Sequence, residues 1–230
     1  MKAVILAAGE GTRMRPLTND TPKPMLFVSG KPLLLHMLDS LPEEINEIIL
    51  VTGYLEEKIK AYFGEQFGRF RIRYIKQNEK KGTGDALFLC KPFFAKNERF
   101  LVMYADDLHS KKAIEEVIKH PLAILVKEVE NPRAFGVITT DENGHIREFV
   151  EKPEVPPSNL VSIGVQLLDE RIFSYPLEKH ANGEYYLVDA VAHMARDYKI
   201  KTIHTDFWIP IGYPEDLKKA EDYFNQKKSA

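Results

Sequence analysis

Short apolar runs alternate with helical patterns along the first half of the chain. The runs are predicted to be strands, and in the segments between them apolar residues recur three or four positions apart, as on one face of a helix. Strands are predicted at residues 3–8, 48–52, 70–75, 99–104 and 122–126, and helices at 55–63, 83–94 and 112–119. This alternation predicts the α/β class, with a doubly wound, mainly parallel sheet and ligands beyond the carboxyl ends of its strands.

The second half begins with a different pattern. Strand-like segments at 135–140, 144–150 and 161–168 follow one another, with a turn composition at 141–144. They predict an antiparallel insertion on one side of the cleft, which makes the sheet mixed. Helical patterns return at 186–198 and 213–224, with a strand at 201–208 between them. We expect a single domain over residues 1–230, with one half at about 1–128 and the other at about 129–230.

The composition narrows the classes of protein that need to be considered. The chain has 230 residues, and 32 basic against 34 acidic residues give a net charge of −2, which argues against broad nucleic-acid binding. It has one cysteine, Cys90, no signal peptide and no apolar run near the length of a membrane span. These features predict a cytoplasmic protein with neither a membrane nor a nucleic-acid partner, which could form a homo-oligomer.

The loop after the first strand carries the clearest chemical pattern. From Gly9 it reads Gly-Glu-Gly-Thr-Arg-Met-Arg-Pro. Gly9 and Gly11 lack a Cβ atom, so the backbone can turn sharply and point its N–H groups at an anion. Arg13 can bind two phosphate oxygens, and Lys23, further along, can add a movable charge. The simpler alternative is a glycine turn with solvated basic residues, but the fixed spacing with Thr12 favours a polyphosphate site.

Neither of the two common phosphate loops explains this segment. A Walker loop needs four residues between its glycines followed by Lys and Ser or Thr, and the dinucleotide fingerprint needs a third glycine where Met14 stands. The stretch from Leu6 to Thr18, followed by Pro22-Lys-Pro-Met, instead resembles the signature of the sugar-1-phosphate nucleotidylyltransferases. The resemblance implies a Rossmann-like nucleotidyltransferase fold with a nucleotide-binding first half and a sugar-binding second half.

The same resemblance implies an activity and roles for the residues of the loop. The family joins a nucleoside triphosphate to a sugar 1-phosphate, releases pyrophosphate and uses Mg²⁺. Arg13 and Lys23 are the implied catalytic residues. The implied nucleotide-binding residues of this segment are Leu6, Ala8, Gly9, Gly11 and Thr12. No hexapeptide repeat is present, so the likeness to bifunctional relatives is limited to their transferase half.

A second polar segment, from Gln77 to Ala86, follows a predicted strand and opens a helix. The amide of Gln77 has one acceptor and two donors, which can pair with the edge of a base, and Gly82 would leave room for the base or the ribose. The alternative is a helix capped by Thr83 with a solvated loop before it. The segment resembles the family's base-recognition region, especially that of the N-acetylglucosamine-1-phosphate uridylyltransferases. Gln77, Gly82 and Thr83 are therefore predicted to bind the nucleotide.

The strand at 99–104 leads into two carboxylates, Asp106 and Asp107. A carboxylate at the end of a parallel strand suits Mg²⁺ that is held partly by water and phosphate. The family's Gly-Asp at this point corresponds to Ala105-Asp106, which implies that Asp106 is the metal ligand. Asp107 is expected to cap a helix or to lie in a solvated turn.

Two segments of the second half resemble the family's sugar site. They run from Phe135 to Pro153 and from Gly183 to Asp189. The resemblance implies that Glu151 and Glu184 bind the sugar and that Lys152 contacts its phosphate, although a Glu-Lys pair alone would be interpreted as ordinary surface chemistry. The implied sugar-phosphate-binding residues are Gly136, Glu151, Lys152, Gly164 and Glu184.

Two positions depart from the family's pattern. Pro210 stands where the family has an aspartate on the second side of the metal, so Asp206 or another group would have to replace it. Ser162 stands where many sugar enzymes have an asparagine, which leaves the sugar open. Ala8, in place of a second glycine, gives a slight preference for a pyrimidine base. Two alternatives follow: a cytidylyltransferase for phosphocholine or a polyol phosphate, and a non-catalytic nucleotide-sensing protein.

Overall fold

The apolar runs form the strands of a ten-stranded mixed sheet in the computed structural model of the chain, which describes residues 1–228. The strands of these residues are β1 Lys2–Ala7, β2 Phe27–Val28, β3 Lys31–Pro32, β4 Glu47–Thr52, β5 Gln66–Phe67, β6 Phe70–Lys76, β7 Arg99–Tyr104, β8 Asp107–His109, β9 Ala123–Glu128, β10 Gly136–Thr140, β11 Ile146–Glu151, β12 Leu160–Asp169, β13 Lys201–His204 and β14 Trp208–Pro210. The α-helices are α1 Leu33–Ser40, α2 Glu56–Phe63, α3 Gly82–Phe88, α4 Lys111–Val117, α5 Leu187–Asp197 and α6 Pro214–Lys228.

Four parallel strands form the centre of the sheet, in the order β7-β1-β4-β6. Their side chains alternate between two apolar layers. Ile5 and Leu101 face the layer that contains α1, α2 and α4, and Val4 and Val102 face the layer that contains α3 and α5. Burial on both faces explains why these strands are continuous apolar runs in the sequence. The predicted α/β class, with a mainly parallel sheet, is confirmed.

The antiparallel strands predicted in the second half are present, and they continue the same sheet. In β12, Val161 pairs with β9 on one edge and with β10 on the other, whereas Leu167 pairs with β9 and with β7. β10 and β7 therefore lie one after the other along a single edge of β12. Gly164 lies between the two pairings. The start of β10 and the carboxyl end of β7 consequently meet beside this glycine.

Several elements differ from the prediction. The helix predicted at 83–94 ends at Phe88, and a separate 3₁₀ turn follows at Lys91–Phe93. The strand predicted at 201–208 is divided, because the Thr205 side chain bonds to the backbone of Phe207 and forms a turn. The second piece, β14, leaves the main sheet and pairs with β8. The hairpin β2–β3 and helix α1 were not predicted, since the apolar run of α1 shows neither period clearly.

The C-terminal segment returns to the first half of the chain. Residues of β14 and α6, the loop between them and the segment around Met14 form a third apolar cluster, in which Met14 and Ile211 are fully buried. His36 of α1 stacks on Phe224 of α6, with 4.5 Å between ring centroids. Within residues 1–228, no helix is both long and apolar enough to cross a membrane.

Candidate active site

The loop after β1 is packed against Lys23. Gly11 adopts φ 62°, and a Cβ atom at this position would come within 3.0 Å of the Lys23 Cβ. The Lys23 Nζ atom donates a hydrogen bond to Asp106 Oδ2 at 2.8 Å. The Lys23 side chain is 10% exposed and that of Asp106 is 40% exposed, so the carboxylate can still meet a ligand from solvent. The structure thus brings together three residues that the sequence assigned to phosphate and metal.

Arg13 extends from a short 3₁₀ turn, Thr12–Met14, that follows the glycine loop. The Met14 side chain is fully buried in the third apolar cluster and anchors this turn, whereas Arg13 itself is exposed. The Arg13 guanidinium carbon lies 5.3 Å from the centroid of the Tyr213 ring. It forms no ion pair with any residue in 1–228. Its charge is therefore available to an anion.

A cavity of about 230 Å³ lies where β1, β4 and β6 end. Its lining residues are Ala8, Glu10, Gly53, Tyr54, Lys76, Gln77, Asn78, Glu79 and Lys80. The first two loops touch, since a Cβ atom on Gly53 would come within 2.9 Å of the Ala8 carbonyl oxygen. Two predicted nucleotide-binding residues, Ala8 and Gln77, thus line one cavity. Gly53 and Tyr54 were missed, although their position directly after a parallel strand could have identified them.

The amide group of Gln77 has a defined orientation beside this cavity. Its Nε2 atom donates to the Gly82 carbonyl oxygen at 3.1 Å and to Asp85 Oδ2 at 2.8 Å. Both amide hydrogens are thereby used within the protein. The Oε1 atom accepts no hydrogen bond from the described residues. Gln77 therefore presents an acceptor to a ligand.

Gly82 and Thr83 join the start of α3 to the segment before α5. Gly82 adopts φ 90°, and a Cβ atom there would lie 2.4 Å from the Tyr185 carbonyl oxygen. The prediction that Gly82 leaves room for a base or ribose is therefore wrong, because the space is taken by the Tyr185 backbone. Thr83 does not cap its own helix. Its Oγ1 atom accepts a hydrogen bond from the Leu187 N–H at 3.1 Å, at the start of α5.

Glu151 and Lys152 end β11 in a constrained geometry. Lys152 adopts φ 43°, a left-handed conformation that L-residues seldom adopt and that costs on the order of 1 kcal/mol. Its Nζ atom lies 3.1 Å from Glu151 Oε1 and 4.9 Å from the centroid of the Tyr186 ring. The Glu151 side chain is only 13% exposed; burial raises its pKa, and Lys152 opposes that shift. This is not an ordinary surface pair.

Glu184 belongs to a network of polar side chains on the hairpin before α5. Asn182 Nδ2 donates to Glu184 Oε2 at 3.0 Å and to the Tyr186 hydroxyl at 2.6 Å. The His180 ring packs against Tyr186, and its Nε2 atom lies 2.8 Å from Asp189 Oδ2. Sequence reasoning missed Asn182, His180 and Asp189, since only the turn of the hairpin brings them together.

Two glycines shape this side of the site. A Cβ atom on Gly136 would lie 3.3 Å from Glu151 Oε2 and 2.7 Å from the Phe149 ring. Gly164 adopts φ 79° and packs on Tyr104, whose ring atoms would be 3.1 Å from a Cβ. Burial raises the pKa of the Tyr104 hydroxyl. The predicted sugar-site residues thus surround the end of β7 and the start of α3.

The second carboxylate, Asp107, lies in β8. The expectation that it caps a helix or lies in a solvated turn is therefore wrong. The Trp208 Nε1 atom donates to Asp107 Oδ2 at 3.0 Å, and burial together with Asp106 raises the Asp107 pKa. Pro210 pairs with Asp107 across the ribbon. Asp206 precedes β14 at the end farther from Asp106, so it cannot replace the missing family aspartate. No cluster of three or more metal-binding side chains occurs among residues 1–228.

Comparison with known proteins identifies the family. The model described as "Nucleotidyl transferase" matches residues 2–227. The bifunctional protein GlmU of Methanocaldococcus jannaschii is 38% identical, over 99% of this chain and 55% of its own length. The UTP–glucose-1-phosphate uridylyltransferase AglF of Haloferax volcanii is 36% identical, over 99% of this chain and 98% of its own length. The chain therefore belongs to the nucleotidyl transferase family, among the sugar-1-phosphate nucleotidyltransferases.

The solved structures agree with this placement. A UDP-glucose pyrophosphorylase in complex with UDP-glucose superposes with a TM-score of 0.85 at 27% identity, over 98% of each chain. The ligand-free form of a UDP-glucose pyrophosphorylase gives a TM-score of 0.88 over 99% of this chain. The chain spans about half the length of several relatives that it matches, including the GlmU proteins.

Proposed function

We propose that this chain transfers a nucleotidyl group from a nucleoside triphosphate to a sugar 1-phosphate and releases pyrophosphate. The observation that carries the proposal is the contact of Lys23 with both the glycine loop and Asp106 at the carboxyl ends of β1 and β7. The Gln77 amide adjoins the polar network around Glu184 through Gly82, whose carbonyl oxygen accepts from Gln77 Nε2 and whose Cβ position lies 3.1 Å from Glu184 Cβ. The nucleotide-binding half is about residues 1–128, and the sugar-binding half is about 129–230.

The proposed reaction needs no protein nucleophile. An oxygen of the sugar phosphate attacks the α-phosphorus and forms a P–O bond. The bond from the α-phosphorus to the bridging oxygen of the β-phosphate breaks, and pyrophosphate leaves with that electron pair. The main obstacle is repulsion between the two anions, which is about 4 kcal/mol per pair of unit charges at roughly 4 Å near a protein surface. Arg13 and Lys23 lower this repulsion by positioning and charge.

The proposed base is uracil or thymine. An acceptor at Gln77 Oε1 suits a base edge that presents an N–H, as the N3–H of these two pyrimidines does. Cytosine has an unprotonated ring nitrogen at that place and would present its N4 amino group to this acceptor instead, so the triphosphate preference measured below separates the cytidylyltransferase alternative. Leu6, Ala8, Gly9 and Thr12 complete the proposed nucleotide site through their position at the end of β1.

Mg²⁺ is the proposed cofactor, and the residues present fit it in a limited way. Asp106 supplies one partly exposed carboxylate, and Mg²⁺ commonly uses one or two carboxylates together with phosphate oxygens and water. When bound, the ion would neutralise phosphate charge. Lys23 already contacts Asp106 Oδ2, so lysine and metal would share this carboxylate. A cytoplasmic location and a homo-oligomer remain expectations from the sequence.

A pyrophosphate-release assay tests the proposal. Five triphosphates (UTP, dTTP, CTP, GTP and ATP) are combined with glucose 1-phosphate, N-acetylglucosamine 1-phosphate and phosphocholine, with and without excess chelator. We expect turnover with UTP or dTTP and a sugar 1-phosphate. Turnover confined to CTP and phosphocholine would instead support the cytidylyltransferase. Triphosphate binding without any turnover would support the nucleotide-sensing protein.

A further inference from the structure

The Arg13 side chain forms no ion pair or hydrogen bond within residues 1–228, and its guanidinium carbon lies 5.3 Å from the centroid of the Tyr213 ring. A guanidinium on the face of an aromatic ring is attracted to it, while its N–H groups point outward in the plane of the group. An acidic partner would also hold the arginine, but it would consume those N–H donors and repel a phosphate. The ring therefore restrains Arg13 and leaves its donors available to an anion.

The segment that carries Tyr213 is itself held in place. Asp216 Oδ2 accepts hydrogen bonds from the N–H groups of Gly212 and Tyr213, at 3.0 and 2.9 Å. The Ile211 N–H donates to the Asp106 carbonyl oxygen at 3.0 Å. Two residues of backbone thus join Tyr213 to the main chain of Asp106, the residue whose carboxylate contacts Lys23. Tyr213 is nevertheless 48% exposed, so its ring is not needed to fill the core.

We propose that Tyr213 is a positioning residue that holds the Arg13 guanidinium by its ring face and aims it at the triphosphate. The inference rests on the proposed function. Only the aromatic face takes part, so the Tyr213 hydroxyl is dispensable. Because Tyr213 acts through Arg13, its removal has no consequence once Arg13 is absent.

A double-mutant cycle tests this inference. The variants are Tyr213→Ala, Tyr213→Phe, Arg13→Ala and the double variant Arg13→Ala/Tyr213→Ala, and kcat, KM for UTP and the melting temperature are measured for each. Tyr62→Ala is the matched control, because Tyr62 is a similarly exposed tyrosine, at 43%, on α2. We expect Tyr213→Ala to lower kcat/KM about three- to tenfold and Tyr213→Phe to retain activity within about twofold. In the Arg13→Ala background, Tyr213→Ala should cause no further loss.

A merely structural role of Tyr213 would not produce this non-additivity. The inference is overturned if Tyr213→Ala lowers kcat/KM equally in both backgrounds, or if Tyr213→Phe lowers it as much as Tyr213→Ala does. In either case, turnover by the wild-type chain still supports the proposed function. If the wild-type chain releases no pyrophosphate, the function has failed, and the same cycle is measured on the dissociation constant of UTP. The inference then stands only if the loss of affinity in Tyr213→Ala depends on Arg13; absence of UTP binding overturns it.

Discussion

The residues assigned to the triphosphate belong mainly to loops that follow parallel strands, whereas those assigned to the sugar phosphate contact one another through side chains. We call the first group the nucleotide side: Ala8, Gly11, Arg13, Lys23, Gln77 and Asp106. We call the second group, together with the polar residues that contact it or one another beside it, the sugar side: Glu151, Lys152 and Glu184 with His180, Asn182, Tyr186 and Asp189. On the nucleotide side, Lys23–Asp106 is the one ion pair between members of the group among the described residues.

The sugar side is already joined by polar contacts before any ligand is considered. Glu151 pairs with Lys152, Asn182 links Glu184 to Tyr186, and His180 contacts Asp189. A residue on the sugar side therefore supports its neighbours, in addition to the ligand contact proposed for it. On the nucleotide side, Arg13 forms no ion pair and Gln77 Oε1 accepts no hydrogen bond among the described residues. We therefore expect substitutions on the nucleotide side to change turnover with little change in melting temperature, and substitutions on the sugar side to change both.

The largest expected effect is that of Asp106→Asn. A neutral amide is a poor ligand for Mg²⁺ and a weak partner for the Lys23 ammonium, so turnover should fall by roughly a thousandfold. The melting temperature should change by only a few degrees, because the carboxylate is partly exposed. Pyrophosphate release and thermal unfolding check both statements. The control is Asp206→Asn, because Asp206 is exposed and remote from Asp106. Activity of the Asp106→Asn variant, or turnover in excess chelator, would show that the metal-assisted mechanism is wrong.

Arg13→Ala should have the next largest effect. A loop arginine on a polyphosphate acts mainly in the transition state, and loss of such a contact typically costs about 2–4 kcal/mol, or roughly a hundredfold in kcat/KM. The control is Arg15→Ala in the same loop, because the Arg15 side chain is 55% exposed and lies 3.8 Å from Glu10. Near-normal turnover in Arg13→Ala would remove Arg13 from the reacting phosphates.

Glu151→Gln tests the sugar side. We expect the KM for the sugar 1-phosphate to rise about tenfold and the KM for the triphosphate to stay within about twofold. We expect the melting temperature to rise, because the raised Glu151 pKa means that the cost of burying its charge exceeds the attraction of Lys152, and a neutral amide removes that cost. Steady-state kinetics with each substrate varied in turn and thermal unfolding measure these changes. Glu148→Gln, an exposed residue of the same strand, is the control. An unchanged melting temperature would contradict the contrast between the two sides.

Pro210→Asp should have the smallest effect. It restores a carboxylate at the family's second metal position, next to Asp107 on the β8–β14 ribbon. The Mg²⁺ concentration for half-maximal turnover should fall about threefold, because an added carboxylate strengthens binding of a hard cation. A magnesium titration of wild type and variant measures the shift. An unchanged or higher half-activation concentration would mean that this position does not reach the ion.

The parts that could be predicted from the sequence share a local cause. Strands such as β1 and β7 are buried on both faces and appear as apolar runs, and the loop with Gly11 and Arg13 follows β1 directly in the chain. The parallel arrangement then predicts that the ends of such strands meet, which is why Asp106 was assigned to the same site as Lys23. Helix α1 escaped prediction because an apolar run without a clear period does not distinguish a buried helix from a strand.

The sequence by itself determined the α/β class, the family and the place of the glycine loop after β1, because each depends on residues that are close together in the chain and on their spacing. Only the tertiary structure decided why Gly82 is a glycine, since the obstacle is the backbone of Tyr185, about a hundred residues away. It also decided that Asp107 is held by Trp208 and that Arg13 lies on Tyr213. These contacts join residues distant in sequence, and their geometry exists only once the C-terminal segment has packed against the loops of the first half.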